Sequence, residues 1–388
     1  MRYLIMFLFI TFIFTGCNTT PAPKPEKEST PSPLTLVNPN LFKLISVPSE
    51  EEIFALPKAE KSKFLAEYNE YISQGLRADK AIERYLDRTM GYFSYDGETL
   101  TASESQSKQQ GNCVSLAILT QAYANVAGVE TGFREVSTYP IFKKEQDLLI
   151  VSTHFNTKLY APKDSEEKDK DWIQILRAGT VVDYFPQQNT FYLGNATYSS
   201  LLSKYYSNLA TNALIDEHFD LSYSLINEAL KFTPKNPELI NLLAILHRRA
   251  GDTKTAEQLF QFAIQHNLTS SNLIASYRFL AAQQSNTDLV ERLNEELEKA
   301  AKTPFDFLLI AKQSLEKKHF GKAKKTLNKI IEQHPYLPEP YFELAKTHYL
   351  QNDHDLAKEA LEKAIKMSDS QEKTGIYEAK LKSLELML

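Results

Sequence analysis

The sequence predicts an α+β domain over residues 41–200, followed by an all-α superhelical solenoid over residues 203–388. The first prediction follows from helical apolar periodicity that is mixed with two short segments of β-branched residues. The second follows from self-similarity, because the chain from Ser203 divides into similar units about every 34 residues. With 388 residues, the chain is also longer than a single hydrophobic core usually serves.

The composition is that of a folded protein that does not coat nucleic acid. Apolar residues make up 43% of the chain and charged residues 24%, which is typical of globular domains. The formal net charge is -5, and no run of lysines and arginines interrupts this acidic balance. We therefore expect no nucleic-acid partner.

Residues 1–16 have the features of a bacterial secretory signal peptide. Arg2 gives a positive start, and Tyr3–Phe14 form an apolar run shorter than the roughly 20 residues that span a bilayer. The junction before Cys17 resembles the lipobox of bacterial lipoproteins. That resemblance implies that Cys17 is lipidated and that Asn18 directs the protein to the outer membrane, facing the periplasm. The alternative is a plain signal peptide followed by an incidental cysteine.

Residues 17–40 are rich in proline and polar residues and predict an extended tether. Such a segment spans about 3.1 Å per residue in polyproline geometry, so it would hold the first domain away from a membrane. Helical patterns then follow over Glu50–Leu56, Lys61–Ile72 and Ala78–Met90.

A further helix is predicted to begin at Cys113. Asn112 is a favourable N-cap, apolar residues recur at helical spacing after it, and Gly128 ends the pattern. The first turn of a helix stabilises the negative charge of a thiolate. If Cys17 carries lipid, Cys113 has no cysteine partner in its own chain, which suggests a chemical role.

Two later segments supply the groups that a thiolate nucleophile needs. His154 is the one histidine before residue 200 and lies in the predicted strand 148–159. Asp183 lies among apolar residues of a following predicted strand, where a carboxylate needs a partner. If the two strands are neighbours, His154 is that partner.

Residues 90–190 resemble the transglutaminase-like superfamily. The resemblance rests on Gly-Asn-Cys at a helix start, Arg134, a histidine on a strand and a Val-Asp-x-x-Pro segment. It implies a papain-like α+β fold in which Cys113 is the nucleophile, His154 the general base and then acid, and Asp183 the orienting carboxylate. The gap between His154 and Asp183 is longer than is typical of the family and predicts a solvated insertion.

The solenoid prediction depends on alanines and prolines that recur in register. Units from Pro237 and Pro338 place Ala244 and Ala345, and later Ala256 and Ala357, at the same offsets. This pattern resembles the tetratricopeptide repeat, with paired helices in each unit. Residues 371–388 predict a final helix that caps the open end.

Two functions from different classes follow. The leading hypothesis is an envelope-anchored thiol enzyme that acts on amide bonds through a Cys113 thioester, as a peptidase, an amidase (a cell-wall amidase included) or a transglutaminase. The repeats would then recruit a protein or peptide partner. The alternative is a non-catalytic scaffold lipoprotein in which the first domain is a docking module. No metal or organic cofactor is implied, and the remaining histidines lack metal-ligand spacing.

Overall fold

The structure is a computed structural model, and its described residues are 31–89, 91, 93–94, 97–145, 148–162, 177–182, 191–299, 304–368 and 371–386. The chain divides into two compact units, residues 1–32 and residues 33–388. Three predicted features lie outside the described residues. They are the signal peptide, Cys17 and residues 163–171 of the insertion between His154 and Asp183.

Helices dominate the described residues, and four strands interrupt them. The helices before and within the sheet region are α1 Glu50–Ile53, α2 Lys58–Ser73, α3 Ala78–Thr89, α4 Ala102–Lys108 and α5 Cys113–Ala127. The strands are β1 Thr131–Glu145, β2 Leu148–Tyr160, β3 Gly179–Val182 and β4 Phe191–Ala196. The later helices are α6 Tyr198–Ile215, α7 Phe219–Phe232, α8 Pro237–Arg249, α9 Thr253–Gln265, α10 Ser271–Gln283, α11 Thr287–Lys299, α12 Pro304–Glu316, α13 Phe320–Gln333, α14 Pro338–Tyr349, α15 His354–Met367 and α16 Gln371–Glu385.

The strands form one antiparallel sheet in the order β3-β2-β1-β4. Cross-strand pairs place Phe133 of β1 opposite Thr157 of β2, and Thr157 opposite Val182 of β3. These three residues are buried. Two hydrogen bonds from the same sheet reach the helices: Thr131 Oγ1 donates to Gln121 Oε1 of α5 at 2.5 Å, and Thr180 of β3 donates to a carboxylate of α3.

Helix α5 is more deeply buried than its sequence pattern indicates. The predicted caps are confirmed, since the Asn112 side chain accepts hydrogen bonds from the first turn and Gly128 ends the helix in the left-handed region. The apolar residues that recur at helical spacing mark only part of its buried surface, because every residue over 113–124 is buried. The helix packs against α2, α3, α4, α6 and β2, so neighbours surround it.

From α6 onward, consecutive helices pack in pairs, and the predicted repeat is confirmed. The pairs are α6 with α7, α8 with α9, α10 with α11, α12 with α13, and α14 with α15. Ala244 and Ala256 are fully buried where α8 meets α9, and Ala345 and Ala357 are almost fully buried where α14 meets α15. Small side chains at these positions let the helix axes approach closely. The predicted final helix is α16, which packs on α15.

The predicted fold class, a papain/transglutaminase-like α+β domain followed by a separate solenoid, is wrong. The strands form only a small four-stranded sheet within a mostly helical arrangement, and a papain-like α+β domain is not evident among the described residues. A single buried apolar cluster runs from Phe42 through α5 to Leu293 in α11. The helices before the sheet therefore share their core with the first helical repeats.

Candidate functional site

Cys113 is the first residue of α5, as predicted, and its local geometry is well defined. Asn112 Oδ1 accepts hydrogen bonds from the backbone N–H groups of Val114 and Ser115, each at 3.0 Å. Only 6% of the Cys113 surface is exposed, and the residue belongs to the main apolar cluster. The role of Cys113 as a nucleophile stays a prediction.

A hydrogen-bonded turn fixes the chain where it enters α5. Ser115 Oγ donates to Glu98 O at 2.9 Å and accepts from Leu100 N at 2.8 Å. Gly111 has φ +147°, and a Cβ there would lie 2.6 Å from Ser115 Cβ. A side chain at position 111 would therefore clash with the residue that fastens the turn, which explains the glycine before the Asn-Cys pair.

The strand that holds the backbone of His154 is the neighbour of the strand that ends just before Asp183 in the sequence. The backbone of His154 lies in β2 opposite Val136, and β2 pairs with β3, which ends at Val182. The pairing of β2 with β3 therefore agrees with the strand order that the sequence suggests. The His154 side chain and all of Asp183 lie outside the described residues, so the Cys-His-Asp triad stays a prediction.

A buried carboxylate that sequence inspection did not single out holds α2, α3, α4 and α5 together. Glu60 Oε1 accepts hydrogen bonds from the hydroxyl groups of Tyr85 at 2.6 Å and Tyr123 at 2.7 Å. Its second oxygen accepts from the side-chain amide of Gln106 at 3.2 Å. Burial raises the pKa of Tyr85, and the hydrogen bond to Glu60 raises it further. Phe64 packs on both tyrosine rings, so an aromatic cluster shields these hydrogen bonds.

A second buried carboxylate joins α3 to the sheet. Asp79 is fully buried and accepts two hydrogen bonds from the Arg77 guanidinium, at 2.6 and 2.8 Å. Thr180 Oγ1 of β3 donates to the same carboxylate at 2.8 Å. Burial by itself raises the pKa of Asp79, but the hydrogen bonds from Arg77 and Thr180 outweigh it and the pKa is lowered. Asp79 thus stays ionised inside the fold.

Residues 33–48, here called the N-terminal strap, lie against the first helical repeats. Phe42 is 7% exposed, stacks on Tyr223 of α7 with centroids 5.2 Å apart, and meets His247 of α8 edge-on at 5.0 Å. The backbone N–H of Lys43 donates to Asp220 Oδ1 at 2.9 Å. Sequence inspection missed this contact, because nothing local links the strap to helices that lie far along the chain.

Two further hydrogen bonds extend the strap contact. Ile45 N donates to Ser224 Oγ at 2.9 Å, so alternate backbone amides of the strap are bound by α7. At the end of the strap, Pro48 O accepts from the Tyr206 hydroxyl at 2.7 Å. The first repeats therefore hold an extended chain segment by an aromatic anchor and by its backbone.

Neither a metal site nor a membrane-spanning helix is found among the described residues. No group of three or more His, Cys, Asp or Glu side chains in that part of the chain is arranged to hold a metal ion. In the same residues, no helix has the length and apolar character that crossing a bilayer requires.

Comparison with known proteins agrees with the helical repeat. The model of the second ARM domain of tetratricopeptide repeat protein 21 matches residues 286–383. No curated protein matches the chain. The paired helices of the C-terminal part and this match support a helical repeat of the tetratricopeptide type there.

Solved structures with a related helical arrangement include three named examples. PilF of Pseudomonas aeruginosa is 15% identical, with a TM-score of 0.34, over 48% of this chain and 93% of its own. Yeast Tom70 is 17% identical, with a TM-score of 0.40, over 48% of this chain and 40% of its own. YrrB, described as a tetratricopeptide protein with an unusual peptide-binding site, is 12% identical, with a TM-score of 0.28, over 46% of this chain and 92% of its own. The likeness at these scores carries no functional argument.

Proposed function

We propose that the chain is an interaction scaffold whose helical repeat binds a protein or peptide partner. The supporting observation is the N-terminal strap, an extended segment that the first repeats hold by burying Phe42 and bonding the amides of Lys43 and Ile45. Pockets for side chains combined with main-chain hydrogen bonds are a general mode of peptide recognition. The named contacts of the strap are with α6, α7 and α8, and we expect the later repeats to hold a partner segment in the same way.

Site-specific photocrosslinking in the host organism tests this proposal. A photoreactive phenylalanine analogue would replace Ile264 or Tyr349, which are 39% and 42% exposed on the repeats. Matched controls at Leu65 and Ile72 of α2 are 37% and 39% exposed. The proposal expects a discrete crosslinked polypeptide from the repeat positions only. Equal crosslinking from α2, or none from the repeats, would contradict it.

We also propose that a lipid on Cys17 tethers this scaffold to the outer membrane. The support is the sequence before and after Cys17, which resembles a lipobox with a following asparagine. Cys17→Ser should move the protein from the membrane fraction to the soluble fraction, whereas Cys113→Ser should not. Retention of the Cys17→Ser protein in the membrane fraction would argue against the tether.

Thiol-dependent chemistry on amide bonds is a second candidate function. What favours it is that Cys113 begins α5, that α5 packs on β2, and that β2 pairs with β3. An active thiol should react with iodoacetamide in the native protein, at a rate that falls in His154→Ala. A thiol that reacts only after unfolding would leave the scaffold function as the sole candidate.

A further inference from the structure

An open groove lies at the end of the helical repeat, between α14, α15 and α16. It encloses about 500 Å³, and most of its lining is apolar. Phe342 and Ala345 of α14, Leu361 of α15 and Leu384 of α16 form the apolar part. Tyr349 and Leu350 also line it, and they are 42% and 49% exposed.

In an earlier unit of the same chain, a pair of side chains bridges the two helices that correspond to α14 and α16. When Pro237 is aligned with Pro338, Arg248 of α8 corresponds to Tyr349, and Phe279 of α10 corresponds to Lys380. The Arg248 guanidinium lies over the Phe279 ring at 4.7 Å, so it joins the two helices that flank the groove. The last unit has replaced this cation–π pair by a tyrosine and a lysine, and its groove is open.

Two lysines give the rim of the open groove a positive charge. Lys380 of α16 forms no ion pair with any described residue, and its side chain lines the groove. Lys346 of α14 also lines it, and its Nζ is 4.0 Å from Glu343 Oε2. Glu343 is largely buried and is shared with Lys312, whose Nζ lies 3.3 Å from Oε1. Because the Glu343 carboxylate lies between Lys312 and Lys346, the ammonium group of Lys346 can also bind a further acidic group.

An apolar groove with a cationic rim favours a bound segment that has both an apolar side chain and acidic side chains. A large apolar side chain would fill the space that Arg248 and Phe279 fill in the earlier unit. Carboxylates next to it in sequence would meet Lys346 and Lys380. A basic or purely polar segment would satisfy only one part of the surface, or neither.

Resting on the proposed scaffold function, we propose that this groove binds a partner segment in which a large apolar residue is flanked by acidic residues. The groove thus defines a site within the repeat that is separate from the surface covered by the N-terminal strap.

The test is a selection from a random 12-residue peptide library displayed on phage, with the full chain as bait. Enriched peptides would then be synthesised and their affinities measured by fluorescence anisotropy. Ser383→Trp would fill the groove from its exposed rim, and the double variant Lys346→Glu/Lys380→Glu would reverse the rim charge. The matched control is Lys322→Glu/Lys325→Glu, which changes the same charge on exposed α13 outside the groove.

The inference expects enriched peptides with an apolar residue beside acidic ones, and affinity about tenfold weaker in both groove variants but unchanged in the control. Circular dichroism would verify that each variant is folded. Peptides that bind all variants equally, or that carry basic residues, would overturn the groove assignment while the scaffold function stands. If no peptide is enriched, the groove assignment is overturned, and crosslinking at Ile264 decides separately whether the scaffold function stands. If the chain dimerises and Ser383→Trp abolishes the dimer, the occupant is a second copy, and the assignment to a partner segment is overturned.

Discussion

Replacement of Glu60 tests how the helices before the sheet are held together. Glu60→Ala removes the acceptor that the hydroxyl groups of Tyr85 and Tyr123 use inside the aromatic cluster. Hydrogen bonds to charged groups contribute about 1.5–3 kcal/mol each. Because Glu60 is only 8% exposed, water can hardly replace it. We therefore expect Glu60→Ala to lower the free energy of unfolding by about 3–5 kcal/mol.

Urea unfolding followed by circular dichroism would measure this loss, and two companion variants define its origin. Glu60→Gln keeps an acceptor without the charge and should cost about 1–2 kcal/mol. The triple variant Glu60→Leu/Tyr85→Phe/Tyr123→Phe removes the carboxylate together with both hydroxyl groups and should recover more than half of the Glu60→Ala loss. Of the three donors to Glu60, only the side-chain amide of Gln106 then loses its acceptor, and Gln106 is half-buried, so water can replace Glu60 there. A Glu60→Ala loss below about 1 kcal/mol, or a triple variant as unstable as Glu60→Ala, would refute this reasoning.

Three other predictions follow from buried contacts. Asp79→Asn should cost about 2 kcal/mol in urea unfolding at neutral pH, because Arg77 and Thr180 bind the carboxylate. Since the pKa of Asp79 is lowered in the fold, this contribution should be present above about pH 4 and shrink as the pH falls below it; a pH-independent cost would disagree. Phe42→Ala should lower the free energy of unfolding by about 3–5 kcal/mol and make the N-terminal strap accessible to limited proteolysis. An unchanged cleavage pattern would count against the strap contact. Burial raises the pKa of Tyr377 to about 12, so the neutral hydroxyl should contribute fully to the free energy of unfolding below about pH 10. This contribution should be lost as the pH rises through the pKa of the folded state. In a pH titration, tyrosinate absorbance should therefore appear at a higher pH in the folded protein than in the unfolded chain.

Much of the local structure could be predicted from the sequence, because it depends on neighbouring residues. Asn112 and Gly128 mark both ends of α5, since an N-cap side chain and a left-handed C-cap act within one helical turn. Pro237 and Pro338 begin α8 and α14, and the alanines that follow recur where the helices meet. A repeat makes such signals stronger because each unit confirms the register of the next.

The candidate site was predictable only in part. Residue type and local context singled out Cys113, His154 and Asp183, and the strand order places β2 beside β3. The roles of Glu60 and Asp79 were not foreseen. Their hydroxyl partners Tyr123 and Thr180 lie 63 and 101 residues further along the chain, and no local pattern encodes such pairings.

By itself, the sequence determined both ends of α5 and the helical repeat, and it indicated β2 and β3 but neither α4 nor β4. Only the tertiary structure decided that the segments before and after the sheet share one core, from Phe42 to Leu293, and it therefore overturned the predicted papain-like domain. The physical reason is that hydrophobic burial is non-directional. Apolar periodicity specifies which side chains leave water, but the buried partner of each is decided by how the helices and strands pack.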